Sequence, residues 1–391
     1  AQLAASGLVL EALSVSATRA ELRLRDPDYD ATAQAYGRAA RALAATMPAS
    51  VEIFEIVPVI RGVPVSKITL RRSDLEALEF APDGGRAMQL RATVSEAGRL
   101  PAGAVPGEGL YPRFRWSIGP YTRFRLFDFD KQFQADVGLR VSARYDFAPG
   151  VVLSGSVTKR MVGNLDRIRL VSNSVLPRVR SDIELYDRDG DPALENLTLA
   201  WYAKATPEIY TRFTAGYLER MFGGVSAEVL WKPVDSRLAL GAEVNYVKQR
   251  DYNQRLGFRN YSVATGHVSA YYAFDNGFHA QVDVGRYLAG DVGATLSIDR
   301  EFSNGWRVGA FATKTNVSAA RFGNGGFDKG IRIVVPLNWL SGANTRSTYS
   351  TTLRPFSRDG GARLNVDGRL YETVRGFQNP DSAAHWGRFW R

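Results

Sequence analysis

Phe133–Tyr145 reads FQADVGLRVSARY. Phe133, Ala135, Val137, Leu139, Val141, Ala143 and Tyr145 fall on every second position, and Gln132, Gln134, Asp136, Gly138, Arg140, Ser142, Arg144 and Asp146 fall between or beside them. Successive side chains of a strand point to opposite faces, so one face is apolar and the other hydrophilic along the whole stretch. Strands of a soluble sandwich are roughly half as long. Length therefore points to a strand of a transmembrane β-barrel, apolar outside and hydrophilic inside.

The pattern recurs outward from this stretch. Val225, Ala227, Val229 and Trp231 alternate with Ser226 and Glu228, and Leu238, Leu240, Ala242, Val244 and Tyr246 with Arg237, Gly241, Glu243 and Asn245. Phe278, Ala280, Val282 and Val284 alternate with His279, Gln281, Asp283 and Gly285; Ala294, Leu296 and Ile298 face away from Thr295, Ser297 and Asp299. Aromatic residues such as Trp201, Trp231, Tyr272 and Trp306 gather near strand ends, as interfacial girdles do. Tight turns, including Asp275-Asn276-Gly277 and Ser303-Asn304-Gly305, alternate with longer connections near 163–192, 249–258, 287–291 and 316–327. The expectation is a mainly β chain forming an antiparallel transmembrane barrel of about 14–16 strands, the upper count using Asp166–Tyr186 as a hairpin. At that size neighbouring side chains no longer fill the lumen, so a pore or a plugged pore is expected.

Composition narrows the alternatives. Hydrophobic residues make up 45% of the 391, which favours a folded chain. Runs such as Gly7–Leu10 and Ile331–Val335 stop far short of the ~18 apolar residues of a spanning helix. There is no cysteine, which excludes disulfides, thiolate metal sites and cysteine nucleophiles. Residue 1 is alanine and no basic, apolar leader follows it; a processed or partial product with its export signal upstream is expected. The net charge is +10. Residues 1–80 hold nine Lys/Arg and ten Asp/Glu, a net of −1, so the remainder carries +11. Eight of the 50 basic residues are lysine and 42 are arginine. No recognition helix or basic cluster accompanies this excess, so nucleic acid is not an expected partner. Arginine forks bind carboxylates and phosphates at two points, which suits an anionic passenger, lipopolysaccharide phosphates, or structural Asp/Glu partners.

The first eighty residues have a different character. Ala20–Arg25, Val51–Val57 and Val65–Leu70 read as strands; Asp26-Pro27-Asp28 opens a helix over Tyr29–Thr46, and Ser73–Glu76 starts a last one. Gln2–Ala5 looks like the tail of a helix. The order β-α-β-β-α over residues 1–80 predicts a small α/β domain on the periplasmic side, with Arg38, Arg41, Arg71 and Arg72 as candidate contacts for another membrane-complex subunit. Residues 81–109, rich in Gly, Pro and Ala with one strand around Met88–Val94, read as a linker. Residues 110–372 are assigned to the barrel and 373–391 to a C-terminal tail, whose Trp386, Phe389 and Trp390 either close the barrel or dock on another subunit.

Candidate binding residues lie in predicted loops and lumen. Arg178, Arg180, Asp182, Glu219, Arg250, Asp251, Arg286, Asp291 and Lys329 read as a ladder for an acidic or hydroxyl-rich polymer, with Tyr217, Tyr246 and Tyr287 stacking on sugar rings. The alternative is internal ion pairs that fix loops and register. His267 and Ser269 share a strand face with Asp283 and Asp299 in reach, parts from which an esterase triad could be assembled. That spacing is common, and no catalytic residue is assigned. No metal-spaced cluster or cofactor loop occurs.

Several strings carry a family resemblance: Leu176–Asp182 (LPRVRSD), Gly216–Gly224 (GYLERMFGG), Asn245–Asp251 (NYVKQRD), Gly285–Gly293 (GRYLAGDVG), Phe327–Gly330 (FDKG), Arg358–Gly361 (RDGG) and Ala35–Leu43 (AYGRAARAL). They resemble the YjbH family of exopolysaccharide-associated outer-membrane proteins. Members of that family are longer, with a signal peptide and often a lipidation cysteine, so this chain resembles the C-terminal part. The resemblance implies export or surface assembly of an exopolysaccharide at the outer membrane of a Gram-negative bacterium. A general porin and a barrel scaffolding another membrane complex are the alternatives.

Overall fold

The structure, a computed structural model, describes residues 2–25, 28–126, 133–167, 172–322, 326–338, 342, 345–354 and 359–391; the side chains of Leu126 and Phe133 are excluded. Gln132, Asp26, Pro27 and Arg358, used above, lie outside the described residues.

Two sheets organise the chain. The first holds β1 (Val9–Val15), β2 (Arg19–Arg25), β3 (Ile53–Ile60), β4 (Val63–Pro64), β5 (Ser66–Arg71), β6 (Thr93–Glu96) and β7 (Val105–Pro106). Its order is β6-β5-β3-β2-β1-β7, with β4 paired to β3. β2 and β3 are parallel, which requires the crossover that helix α2 (Thr32–Thr46) supplies after α1 (Gln2–Ala5). Tyr36, Ala39, Ala40 and Leu43 of α2 bury against Leu22, Leu24, Phe54, Ile56 and Ile68 of the sheet. Helix α3 (Arg72–Leu78) and helix α4 (Gly84–Arg91) add Leu75 and Met88 to that core.

This domain departs from the sequence reading at both ends. β1 was missed because Val9–Val15 (VLEALSV) has no strict alternation. Residues 81–109 are not a plain linker: α4, β6 and β7 belong to the first domain, and the glycines of Gly84-Gly85 start a helix instead of a loop. The tail also joins it, Trp386 and Phe389 packing into the same core.

The second sheet is an antiparallel meander of thirteen strands in sequence order among the described residues. They are β8 (Arg113–Leu126), β9 (Phe133–Ala148), β10 (Val151–Gly163), β11 (Ala193–Lys204), β12 (Ile209–Tyr217), β13 (Phe222–Trp231) and β14 (Leu238–Arg250), then β15 (Phe258–Ala273), β16 (Phe278–Arg286), β17 (Val292–Glu301), β18 (Arg307–Thr315), β19 (Asp328–Pro336) and β20 (Thr348–Leu353). The expected count of 14–16 is corrected to these thirteen: after a 3₁₀ turn at Leu165–Arg167, the stretch read as a hairpin contains helix α5 (Ile183–Asp189). Both Asn-Gly turns form, with Gly277 at φ 78° and Gly305 at φ 84°, conformations that glycine alone adopts without cost.

The sheet is inside-out in polarity. Gln134, Asp136, Thr158, Arg212, Ser226, Glu228, Glu243, Thr265 and Asp283 are buried, while Leu139 is 42%, Trp201 53%, Val244 63% and Val268 65% exposed. The alternation read from the sequence is therefore present, with the apolar set outward. The sheet also curves on itself: Thr122 of β8 reaches Tyr349 of β20 at 3.4 Å, and the Phe124 and Tyr349 rings are 6.3 Å apart. No backbone ladder joins these two edges among the described residues.

The two rims differ. The connections 148–151, 204–209, 231–238, 273–278 and 301–307 are short and lie on one rim together with the longer 336–348; 163–193, 250–258 and 315–328 lie on the other, with the short 217–222 and 286–292. The first domain docks at the short-turn rim. Arg25 pairs with Asp146 at 3.0 Å, Arg61 donates to the Tyr202 hydroxyl at 2.8 Å, the Tyr210 hydroxyl donates to the Val65 carbonyl at 3.0 Å, and the Val234 amide donates to Glu96 at 2.6 Å.

Candidate functional site

The buried polar face is covered by two segments of the chain itself. One is residues 176–189, which end in α5. The other is residues 359–378, which follow β20 and contain a helical turn at Leu370–Val374. Val179, Tyr186, Leu218, Phe222, Leu288, Leu364 and Val366 form one apolar contact; Val65, Tyr210, Tyr271, Leu370, Tyr371 and Phe377 form another. Tyr271 and Tyr371 stack with centroids 4.0 Å apart.

Polar contacts fix these segments at defined heights. Asp359 accepts the amides of Val179 at 2.9 Å, Arg180 at 2.8 Å and Ser181 at 2.9 Å on one oxygen, and the Ser181 hydroxyl at 2.7 Å on the other. Asp291 accepts the Gly361 amide at 2.8 Å, and Arg363 pairs with Asp283 at 2.7 Å. Deeper in, Arg212, Glu228, Glu243 and His267 occupy one cross-strand row over β12, β13, β14 and β15. Arg212 donates to Glu228 at 2.9 Å and to Glu243 at 3.4 Å. Arg369 enters from the inner segment and binds both oxygens of Glu243, at 2.7 and 3.0 Å, while the Leu370 amide donates to Glu228 at 3.1 Å. Charge-assisted, two-point contacts of this kind are the strong class of hydrogen bond.

The residues proposed as a polymer ladder do not form one continuous row. Arg180 grips Glu219 at 2.7 and 3.0 Å, and Glu219 also accepts the Asn365 amide at 3.1 Å. Asp182 accepts the Tyr252 hydroxyl at 2.6 Å and lies 3.8 Å from Arg178. Arg250 is fully buried and donates to five carbonyls, those of Leu194, Glu195, Glu219, Gln254 and Arg255, with its cation over the Tyr217 ring. Tyr217 donates to the Leu256 carbonyl at 2.8 Å and stacks on Phe258. Asp251 caps the tight 251–257 loop through its backbone. Tyr287 is buried and shares a 2.6 Å hydrogen bond with Thr295. Tyr246 is exposed on the outward face, Arg286 donates to the Gly290 carbonyl at 3.3 Å, and Lys329 sits over the Phe327 ring.

No triad assembles from His267 and Ser269. Ser269 donates to Asp283, and among the described residues neither nitrogen of His267 has a hydrogen-bond partner; the imidazole packs edge-on to Tyr287 at 4.7 Å. Among the described residues no group of three or more His, Asp or Glu could hold a metal ion.

Sequence reasoning missed Arg369, Asp359 and Arg363, which pin the inner segment, and Arg212, which pairs with Glu228 and Glu243 within the wall. The available signal was the unpaired carboxylates it had placed on the inner faces of strands, Glu228, Glu243 and Asp283, which require counter-charges from elsewhere. Beside the inner segment remains an open cleft of about 360 Å³, bounded by Glu195, Asn196 and Leu218–Arg220 on the wall and Asn365–Asp367 and Arg369 on the segment.

A family described as "YjbH: Exopolysaccharide biosynthesis protein YbjH" matches residues 1–376. The "Uncharacterized lipoprotein YjbH" of Escherichia coli (strain K12) is 36% identical over 268 residues, covering 66% of this chain and 38% of the relative's own length. This chain thus corresponds to well under half of that relative. Over nearly its whole length, the chain belongs to the YjbH family.

Proposed function

We propose that this chain is a non-enzymatic outer-membrane β-barrel, its lumen obstructed by its own residues 359–378, that assists export or surface assembly of an exopolysaccharide. The polarity of the thirteen-stranded wall carries this reading. Apolar side chains stand exposed along consecutive strands while carboxylates and arginines are buried behind them. Water would not stabilise so large an apolar face, whereas hydrocarbon would. The contact between β8 and β20 supports closure of the wall. With thirteen strands in a meander, β8 and β20 run in the same direction, so closure would join them as a parallel pair.

The first domain sits at the short-turn rim, which in bacterial outer-membrane barrels faces the periplasm; its outer surface is free for another subunit of an envelope complex. Lipid and lipopolysaccharide are the partners of the outward face. The lipoprotein named among the relatives is consistent with an envelope location, and the family description supplies the link to exopolysaccharide.

The test is a strain lacking the gene, with surface and periplasmic polysaccharide assayed separately. Periplasmic accumulation with surface loss is expected. Unchanged pools with altered uptake of small solutes would overturn the export reading in favour of a porin. Unchanged pools and uptake, with a stoichiometric partner copurifying, would favour a scaffold.

A further inference from the structure

The cleft beside the inner segment has a chemistry that narrows what it can hold. Three carboxylates face it, Glu195, Glu219 and Asp367, against two guanidinium groups, Arg220 and Arg369. Each is already matched: Glu195 with Arg140 at 2.6 Å and Arg123 at 2.6 Å, Glu219 with Arg180, Asp367 with Arg61 at 3.1 Å, Arg220 with Asp187 at 2.6 Å, and Arg369 with Glu243. Among the described residues lining the cleft, each guanidinium is already engaged by a carboxylate and is not free to receive a uronate or phosphate. An acidic polymer would therefore find no free counter-charge among these groups, and is disfavoured here despite the positive charge of the whole chain.

What the cleft does offer is hydrogen bonding from groups whose charges are already paired. A carboxylate that holds an arginine fork keeps lone pairs for further donors. The side-chain amide of Asn365, exposed on the inner segment, presents both a donor and an acceptor, and Asn196, on the wall, whose Oδ1 accepts the Ser156 hydroxyl at 3.4 Å, presents its NH₂ donor. Leu218 and Val366 supply small apolar floors between them. Alternating hydroxyl donors, hydroxyl acceptors and C–H faces are the surface of an uncharged sugar.

We propose that this cleft is a subsite for an uncharged, hydroxyl-rich saccharide, bound against Asn196 and Asn365. The assignment rests on the export reading above and gives it a polymer class. It also makes Asn365 a specificity residue, since it belongs to the segment that fills the lumen and would move with it.

The measurement is direct binding to the purified, detergent-solubilised full chain, by ligand-observed NMR, with a neutral glucose hexamer and a galacturonate oligomer of equal length as probes. The hexamer is expected to bind and the galacturonate to bind at least tenfold more weakly at low salt. Asn365→Ala and Asn196→Ala should each weaken the hexamer about three- to tenfold, one lost hydrogen bond apiece, with unchanged heat-modifiability on gels to certify the fold. Preferential binding of galacturonate would overturn the uncharged class, and binding of neither probe, or of the hexamer equally by wild type and both variants, would overturn the subsite. None of these outcomes bears on the polysaccharide pools of the deletion strain, so the two readings fail separately.

Discussion

Glu228 of β13 and Glu243 of β14 stand directly opposite each other in the ladder, both buried. Like charges in that position repel and destabilise a sheet. Two guanidinium groups resolve the conflict: Arg212, from the neighbouring strand β12, and Arg369, from the segment laid inside the wall. The wall supplies one positive charge for two negative ones and takes the second from a segment far along the chain.

Arg369→Met should therefore cost more than the contacts it removes. It leaves Glu243 short of its counter-charge, and breaking a buried pair this way typically costs about 3–5 kcal/mol. Adding Glu243→Gln should recover much of the loss. Urea midpoints of the two singles and the double, in detergent, check this; additive losses would mean that the two residues are not coupled.

Asp359 accepts three consecutive amides and a hydroxyl of residues 179–181. Asp359→Ala leaves several of these donors unmatched, at about 1–3 kcal/mol each. The expected readout is a rise in single-channel conductance in planar bilayers, from a nearly closed baseline, as the inner segment loosens. An open wild-type channel unaffected by the change would contradict an obstructed lumen.

Val244 is outward and exposed in mid-strand. On a water-facing surface Val244→Arg would be nearly neutral; at the centre of a bilayer arginine costs about 2–4 kcal/mol. Folding yield into phosphatidylcholine vesicles should fall sharply for this variant. An unaltered yield would remove the membrane from the account.

A Cβ at Gly37 of α2 would lie 1.8 Å from the carbonyl oxygen of Phe389, with no side chain to give way. Gly37→Ala should push the tail off the helix, and Phe389→Ala should destabilise the first domain by about 3–5 kcal/mol. Both changes should make the tail the first site cut in limited proteolysis. Wild-type digestion patterns would show the clasp to be incidental.

Acid should loosen the same clasp. Burial holds the His385 imidazole below the ordinary histidine range, and Arg346 and Arg388 act in the same direction against Glu301 and Asp30. The folded state thus prefers neutral His385. Its contribution is complete above the unfolded value, about 6.5, and is lost as pH falls through the lower folded one. Proteolysis of the tail should accelerate from pH 8 to pH 5, and His385→Gln should flatten the profile; an equal acceleration in the variant would assign the effect to other groups.

The dyad repeat made the wall legible, because a face that must meet one solvent is written at every second residue. Leu139, Val141, Val229, Val244 and Ile298 are all exposed, as that pattern required. The crossover Ala20–Arg25, α2, Val51–Val57 was legible for a similar reason, a change of period from two to 3.6. The inner segment was not. Residues 359–378 have no period, since each side chain answers a different partner on the wall, and such pairings span from Glu219 with Asn365 to Val179 with Asp359. Charges such as Arg180 and Glu219 could be seen as important, but their partners are fixed only by the folded register. Helix α4 and β6 hid behind the Gly and Pro of their surroundings, which signal a break in chain direction and not the end of a domain.

The inner segment leaves the ribosome after the wall on which it packs. β8 to β20 precede residues 359–378 in the chain, yet the folded sheet packs against those residues and buries Tyr371 and Phe377. A wall sealed early would have to be threaded afterwards, past the first domain that stands on its short-turn rim. The simpler order is for the sheet to stay unrolled until its filling arrives, then to wrap around it like dough around a core. In that order Arg369 is a checkpoint: until it reaches Glu243, the middle of the wall repels itself and stays ajar.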